Sequence, residues 1–256
     1  MKRFLPPRTP QEQIFCKQVL TLAARSEKTT RPCFSSFLDE RQQQLARAQL
    51  AANNATQHLF FGGFDAAERK VLCVYLDEPP ELWEWPFYVV RLRWKTGGAT
   101  LTHRDYLGAL MGLGIERRCL GDLLLCEDGA YLFVVSTQAQ TVCDELRSVG
   151  RVSVTATLCS ELPSEHELPQ PEQKTINVAS LRVDAVLAAV LHTSRSDAAA
   201  LVSSGKVMVS HLEVDNPSFL MEEGDSLTVR GVGKFRLQQI GGESKKGRLF
   251  LSLLQY

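Results

Sequence analysis

The chain has 256 residues, of which 44% are hydrophobic, and its 29 basic and 29 acidic side chains give a formal net charge of +0 at pH 7. This is the composition of a globular protein with real cores, and the length allows one to three compact units. The neutral balance excludes non-specific nucleic-acid binding through overall charge, although a local basic face remains compatible with it.

Several kinds of segment and site are not expected. No apolar run approaches the roughly twenty residues of a membrane span, and MKRFLPPRTP at the start lacks the apolar core of a secretory signal, so we expect a cytoplasmic protein. The cysteines are spread along the chain without a CxxC pair. We therefore expect no metal site, no cofactor and reduced thiols.

Residues 1–80 are predicted to form a helical region. Polar helices with apolar positions are expected over Gln11–Ala24 and Ser35–Ala52, and an apolar strand over Val71–Leu76. Between them, Phe60–Phe64 places two glycines among three phenylalanines. This pattern indicates either a loop that approaches a ligand closely or, as is commoner, a turn flanked by core aromatic residues.

Residues 81–160 are predicted to follow the order β-α-β-β-α-β of a ferredoxin-like fold, which RNA-recognition domains share. The strands and helices are expected, in chain order, over Tyr88–Trp94, Arg104–Leu113, Leu120–Cys126, Tyr131–Val135, Gln138–Val149 and Arg151–Cys159. Because unrelated functions use this fold, the order alone does not indicate RNA binding. Tyr131 and Phe133 alternate on the third strand without the basic-glycine pattern of an RNA-recognition motif, so core packing or an interdomain contact explains them at least as well.

A linker and a smaller domain complete the chain. The proline- and glutamate-rich string ELPSEHELPQPEQK predicts an extended linker over residues 161–175. Residues 176–256 should then open with a short amphipathic helix, followed by a second helix that Ser194 caps and Gly205 ends, and by short strands. The first helix is indicated by apolar residues at helical spacing: Val183, Val186, Leu187, Val190 and Leu191.

This C-terminal segment resembles the RNA-binding domain named after ribosomal small-subunit protein S-four. The residues that carry the resemblance are Arg182 and Asp184, Ser194-Arg195-Ser196, Ser204-Gly205-Lys206-Val207, Pro217-Ser218 and Gly224-Asp225. Together with the order of the predicted elements, they indicate an α-α-β domain of this type. The overall fold class is therefore predicted to be α+β.

Candidate RNA-binding residues cluster at the predicted helix starts. A helix N-terminus presents unpaired N–H groups and the positive end of the helix dipole, which suits a phosphate. Ser194, Arg195 and Ser196 supply donors there, while Arg182 opens the neighbouring helix and Lys206 follows the second, so one surface is expected to hold them. The alternative is that the cations are ordinary solvated charges and Ser194 is only a cap.

The stretch from Arg230 to Arg248 is a second basic candidate. It contains one acid, Glu243, and glycines that allow a close approach to phosphates. A solvated hairpin loop explains the same pattern about equally well. The RNA-binding candidates in this stretch are Arg230, Lys234, Lys245, Lys246 and Arg248.

Nearly the whole chain resembles the YlmH-type proteins of bacteria and their cyanobacterial and plastid relatives. The resemblance lies in Phe61–Phe64 with Ala67–Lys70, in Leu101–Leu110 with Gly112–Ile115 and Gly121-Asp122, and in Val229–Phe235 with Gly241-Gly242 and Lys245–Arg248. It implies a non-catalytic protein that binds ribosomal RNA and tRNA on the large ribosomal subunit, in rescue or quality control of stalled ribosomes. A monomer is the default expectation for its oligomeric state. Two departures, Met208–His211 and Asp197, remove donors or positive charge from the presumed RNA face.

Two alternatives stay open. An RNA-modifying enzyme is one, because the S-four-type domain that this chain resembles is often fused to pseudouridine synthases and methyltransferases. Cys119–Gly129 has a faint likeness to pseudouridine synthases but lacks their Arg-Leu-Asp order. A methyltransferase is disfavoured because Gly108, Gly112 and Gly114 fall in or after a helix rather than after a first strand. The second alternative is a protein-binding scaffold linked to cell division, which would use the helix Ser35–Ala52.

Overall fold

The computed structural model describes residues 6–53, 57–94, 101–164, 168, 172–210, 212–244 and 247–255. Their contacts define two compact units, an N-terminal unit within Phe4–Pro169 and a C-terminal unit within Gln170–Tyr256. Helices and strands are mixed in both, which agrees with the predicted α+β class. Within the described ranges, no helix combines the length and apolar character needed to cross a membrane.

The N-terminal unit begins with two helices on a three-stranded antiparallel sheet. Its elements are α1 (Pro10–Thr29), β1 (Cys33–Leu38), α2 (Glu40–Ala52), β2 (Gln57–Phe61) and β3 (Lys70–Tyr75), and the sheet order is β1-β3-β2. The Thr9 hydroxyl accepts the N–H of Glu12 and Pro10 takes a first-turn position, so α1 starts where its free donors are satisfied. Val19, Leu50 and Val74 belong to the core between the helices and this sheet.

The prediction of a helical N-terminal region is corrected by this sheet. The helix expected over Ser35–Ala52 begins only at Glu40, after a capping box between Asp39 and Gln42. The residues before Asp39 form β1, which pairs with β3 and sends Phe37 and Leu38 into different cores. The alternation of a strand therefore prevails over helical spacing in this stretch.

The second half of the unit has the predicted order β-α-β-β-α-β, with a two-residue strand added before the last one. Its elements are β4 (Phe87–Trp94), α3 (His103–Gly112), β5 (Leu120–Cys126), β6 (Gly129–Val135), α4 (Ser136–Glu145), β7 (Ser148–Val149) and β8 (Val152–Leu158). The antiparallel sheet has the order β5-β6-β4-β8-β7, and both helices contribute to the core on one of its faces. The helix predicted over Gln138–Val149 ends at Glu145, because Ser148 and Val149 pair with β8 instead.

The two sheets of the N-terminal unit pack face to face. Residues of β1 and β3, such as Phe37 and Val71, share a core with Phe87 and Phe133 of β4 and β6. Gly63 lies at this junction with φ +99°, and a Cβ there would lie 2.6 Å from Cδ1 of Phe133 and closer still to Cε1. Phe60–Phe64 is thus the turn flanked by core aromatic residues, and what approaches its glycine is the Phe133 ring.

The C-terminal unit is larger than the α-α-β domain expected. It contains β9 (Glu172–Val178), α5 (Val183–Leu191), α6 (Arg195–Ser203), β10 (Val207–Val209), β11 (Leu212–Glu213), β12 (Ser226–Val229), β13 (Gly233–Glu243) and β14 (Leu249–Gln255). All six strands form one antiparallel sheet, ordered β11-β10-β12-β13-β14-β9. The prediction of a linker over residues 161–175 is corrected in two places. Residues 172–175 belong to β9, which pairs along β14, and Leu168 is buried. Residues 165–167 and 169–171 of the predicted linker lie outside the described residues.

Candidate nucleic-acid interface

Arg182 and Arg195, both predicted to bind RNA, meet on the carboxylate of Asp184. Arg182 donates from Nη2 to Oδ2 at 2.9 Å and from Nε to Oδ1 at 3.1 Å. Arg195 donates from Nη2 to the same two oxygens, at 2.9 and 3.1 Å. One carboxylate therefore holds the first residue of α6 beside the residue that precedes α5.

A turn of the chain fixes the start of α5, where this cluster forms. The N–H of Val183 donates to the carbonyl of Phe219 at 2.8 Å, and that of Asp184 to the carbonyl of Pro217 at 3.2 Å. Arg182 also forms an isolated antiparallel bridge with Leu220. The Pro217-Ser218 turn, noted in the sequence for its resemblance alone, thus accepts free N–H groups of the first turn of α5.

The cluster combines a buried anion with accessible cations. The Asp184 side chain is 6% exposed, whereas those of Arg182 and Arg195 are 37% and 56% exposed. Burial raises the pKa of Asp184, but hydrogen bonds from both guanidinium groups outweigh it and hold the pKa below its ordinary value. Asp184 is consequently ionised at neutral pH and orients two arginines toward solvent.

The start of α6 carries its own anion. The Oγ of Ser194 accepts the N–H of Asp197 at 3.1 Å and donates to Oδ2 of Asp197 at 2.7 Å. Since that hydroxyl hydrogen is used, Ser196 is the donor in the 2.7 Å contact between the two serine Oγ atoms. The Asp197 carboxylate therefore competes with a phosphate for this helix terminus.

The remaining candidates do not join this cluster. Lys206 follows α6, whose nine residues span about 14 Å, and its carbonyl accepts the N–H of Arg230 at 2.9 Å, so these two exposed residues are neighbours. Lys234 lies on β13 opposite Thr228 of β12. The Arg248 guanidinium donates to the carbonyl of Asn177 at 2.9 Å. The other two candidates, Lys245 and Lys246, lie outside the described residues.

Sequence reasoning missed Asp184 as a residue of this site. Asp184 belongs to the S-four-like pattern beside Arg182, but a carboxylate is not itself a group that is expected to bind RNA. Its spacing from Arg182 was a usable signal, because an acid in the first turn of a helix is well placed for a cation at the helix start. Its contact with Arg195 spans eleven positions and carried no such signal.

Comparisons with known proteins bear on both units. A family model described as "Putative RNA-binding domain in YlmH" matches residues 80–161. "Ribosome-associated protein quality control protein P2" of Bacillus subtilis (strain 168) is 31% identical over 238 residues, which is 93% of this chain and 92% of that protein. The chain belongs to the YlmH-type family.

A solved structure agrees at the level of the fold. "Cell division protein ylmH from Streptococcus pneumoniae" superposes with a TM-score of 0.51 and 21% sequence identity, covering 61% of this chain and 96% of that one. At this identity the likeness concerns the fold alone.

The strings that carry the YlmH-type resemblance in the N-terminal unit have structural contacts. Both oxygens of Asp122 accept backbone N–H groups, from Glu68 at 2.6 Å and from Arg69 at 3.0 Å. The Arg69 guanidinium donates to the carbonyls of Leu120 and Phe37 at 2.7 and 3.1 Å. Asp122 and Arg69 therefore tie the stretch before β3 to β5, across the junction of the two sheets.

Asp122 makes this junction sensitive to pH. Desolvation by burial raises its pKa from 3.8 to about 6. Because the pKa of Asp122 is higher in the folded protein than in the unfolded chain, its protonated carboxyl group contributes to stability. This contribution is complete below the unfolded-state pKa of 3.8 and is lost as the pH rises through about 6. We expect the free energy of unfolding, relative to Asp122→Asn, to fall by about 1 kcal/mol between about pH 5 and about pH 7.5. Urea titrations of both proteins measure it, and a difference that stays constant with pH would contradict this assignment.

Proposed function

We propose that this protein is a non-catalytic, cytoplasmic RNA-binding monomer that associates with the large ribosomal subunit, contacts ribosomal RNA and tRNA there, and acts in rescue or quality control of stalled ribosomes. The observation that carries the proposal is the arginine pair held on Asp184. The name of the Bacillus subtilis relative supports association with ribosomes, and the family description supports RNA binding.

The arginine pair suits the recognition of RNA phosphates. A guanidinium has five N–H donors in a fixed plane, which matches the oxygens of a phosphate. Arg195 uses only Nη2 on Asp184, so its Nε and Nη1 hydrogens have no partner among the described residues. Arg182 uses Nε and Nη2 on Asp184 and presents Nη1. Fixed side by side, the two guanidinium groups can bind neighbouring phosphates of a structured RNA without first being ordered.

The proposal places the main RNA contact on the C-terminal unit, as an S-four-type domain. The strand order β5-β6-β4-β8 and the two helices on one face support a ferredoxin-like, RNA-recognition-like domain over residues 81–160. RNA-recognition domains bind single-stranded bases on aromatic residues of the opposite, open sheet face. In this chain Phe87 and Phe133 of that face are buried in the core shared with the first sheet. An aromatic RNA platform is therefore absent from this part of the described face.

Cosedimentation of the full-length protein with purified large ribosomal subunits, over a series of salt concentrations, tests this assignment. Affinity is expected to fall as the salt concentration rises. Removing two phosphate contacts with Arg182→Ala/Arg195→Ala should make the slope of log affinity against log salt shallower by about two. The matched control is Arg104→Ala/Arg151→Ala, which removes two exposed arginines from residues 80–161 and should leave the slope nearly unchanged.

The two variants separate the alternatives. If the control alone lowers the slope, the RNA face lies in the segment that the family model matches. If neither variant changes binding, a protein contact carries the association, as a scaffold requires. If the wild-type protein does not bind subunits at all, the ribosomal proposal is wrong.

Asp197 provides a second test, in which a substitution should strengthen binding to large subunits instead of weakening it. Asp197→Asn removes the negative charge at the start of α6 while keeping a side chain able to accept from Thr193 and Ser194. We expect affinity for large subunits to rise about three- to tenfold at low salt, because the helix terminus then favours phosphate. The same cosedimentation assay measures it, and a weaker complex would show that RNA does not approach this terminus.

A further inference from the structure

The N-terminal unit exposes a tryptophan in a short 3-10 turn, Leu82–Glu84. The Trp83 side chain is 81% exposed, and Leu82 before it is 59% exposed. Large apolar side chains scattered singly on a surface are ordinary, but a tryptophan this exposed beside an exposed leucine is typical of a binding surface. We refer to Leu82 and Trp83 together as the Trp83 patch.

The backbone that carries the Trp83 patch is anchored to the core of the N-terminal unit by a neighbouring residue. Two residues later, the buried Trp85 ring packs on Phe34 and Phe61 with centroid distances of 5.4 and 5.2 Å. Within the turn, the N–H of Glu81 donates to Oε2 of Glu84 at 2.7 Å. Pro79-Pro80 precedes the turn and Pro86 follows it, which restricts the backbone further. A partner would therefore meet a surface that needs little ordering.

The negative charge of the residues next to the Trp83 patch indicates that its partner is positively charged. Asp77, Glu78, Glu81 and Glu84 lie within six residues of Trp83 along the chain, and no Lys, Arg or His occurs between Lys70 and Arg91. Asp77, Glu78 and Glu81 are exposed and form no ion pair within the part of the chain that the structure describes. These carboxylates repel the phosphates of RNA, whereas an indole face attracts ammonium and guanidinium groups.

We propose that the Trp83 patch is a docking surface for a lysine- or arginine-rich segment of another protein. The indole ring takes one cationic side chain on its face, Leu82 covers the aliphatic part of a neighbouring one, and the acids pair with the others. This surface lies on the N-terminal unit and does not rest on the RNA-binding function proposed for the C-terminal unit.

Fluorescence anisotropy with the full-length protein tests the docking surface. The probe is a short labelled peptide of alternating Lys, Arg and Gly, compared with a Glu-Gly peptide of equal length. Trp83→Ser should weaken binding of the basic peptide roughly tenfold, and Glu78→Gln/Glu81→Gln should reduce its salt dependence. Ile14→Ser is the matched control, because Ile14 is an exposed apolar residue of α1, 56% exposed, and should not change binding.

Each remaining outcome would overturn the proposal. Equal affinities for Trp83→Ser and Ile14→Ser would show that the ring makes no contact. Weaker binding of Trp83→Ser to protein-free ribosomal RNA would point to RNA, and a change of mass in analytical ultracentrifugation would point to a second copy of the chain. Because Trp83 lies outside the core, its variant should keep the wild-type circular dichroism and unfolding midpoint, and an unfolded variant would itself contradict the exposed position.

Discussion

Replacing Gly63 with alanine is expected to lower the free energy of unfolding of the N-terminal unit by about 3 kcal/mol. The backbone at Gly63 has φ +99°, which costs an L-residue about 1–2 kcal/mol. The new Cβ would also lie 2.6 Å from Cδ1 of Phe133 and 3.3 Å from Cε2 of Phe87. Overpacking of a closed core adds about 1–3 kcal/mol. Urea denaturation followed by circular dichroism measures the loss.

Gly108→Ala is the matched control for this substitution. Gly108 lies within α3, has no positive φ, and a Cβ there would meet no atom within 4 Å. Alanine should therefore stabilise the helix by about 0.5–1 kcal/mol. A second variant, Gly63→Ala/Phe133→Leu, should lose less than the sum of its single changes, because the smaller side chain removes the clash. Strict additivity would mean that the glycine is required for another reason.

The second large effect is expected at Asp184. Asp184→Ala should weaken binding to large ribosomal subunits about tenfold, although it makes the protein more positive by one charge. The reason is that Arg182 and Arg195 lose the carboxylate that both now contact, and must be ordered by the RNA at an entropic cost. Cosedimentation at a fixed, moderate salt concentration measures the change.

Asp215→Ala shows what the added charge does by itself. Asp215 is an exposed acid of the same unit, and its removal should leave affinity unchanged or slightly higher. Asp184→Asn keeps one hydrogen-bond acceptor and should lose less than Asp184→Ala. If Asp184→Ala instead binds more tightly than the wild-type protein, the carboxylate only neutralises the arginines and does not position them.

The predicted elements agree with the structure where the residues that stabilise an element are close in sequence, and they differ where those residues are far apart in sequence. The cap of α6 was predicted correctly because Ser194 and Asp197 are three residues apart. The linker prediction includes residues 172–175 because this polar, proline-flanked stretch becomes the start of β9 only by pairing with β14, as in Lys174 opposite Leu253. Likewise, residues 35–38 are predicted to be helical but belong to β1, because Phe37 and Leu38 pair with Val71 and Lys70 of β3, far along the chain.

In the candidate site, too, the features that depend on neighbouring residues were predictable from the sequence, and those that depend on packing were not. The cations at the helix starts, Arg182 and Arg195, were found because capping and charge are local properties of the chain. That they share Asp184 was not predicted, since the contact depends on how α5 packs beside α6. The basic stretch Arg230–Arg248 was considered as one group, but β12 and β13 place Arg230 and Lys234 apart from Arg248.

The amino-acid sequence by itself determined the YlmH-type resemblance, the α+β class, the start of α6 with its Ser194 cap, and the β-α-β-β-α-β order. These properties depend on residues within a few positions of one another, where side-chain hydrogen bonds and hydrophobic periodicity act. Only the tertiary structure decided that Phe133 is buried under the first sheet, that Asp184 joins two arginines, and that Trp83 is left exposed. Each of these outcomes depends on contacts between distant parts of the chain, whose energies become definite only when the whole core is packed.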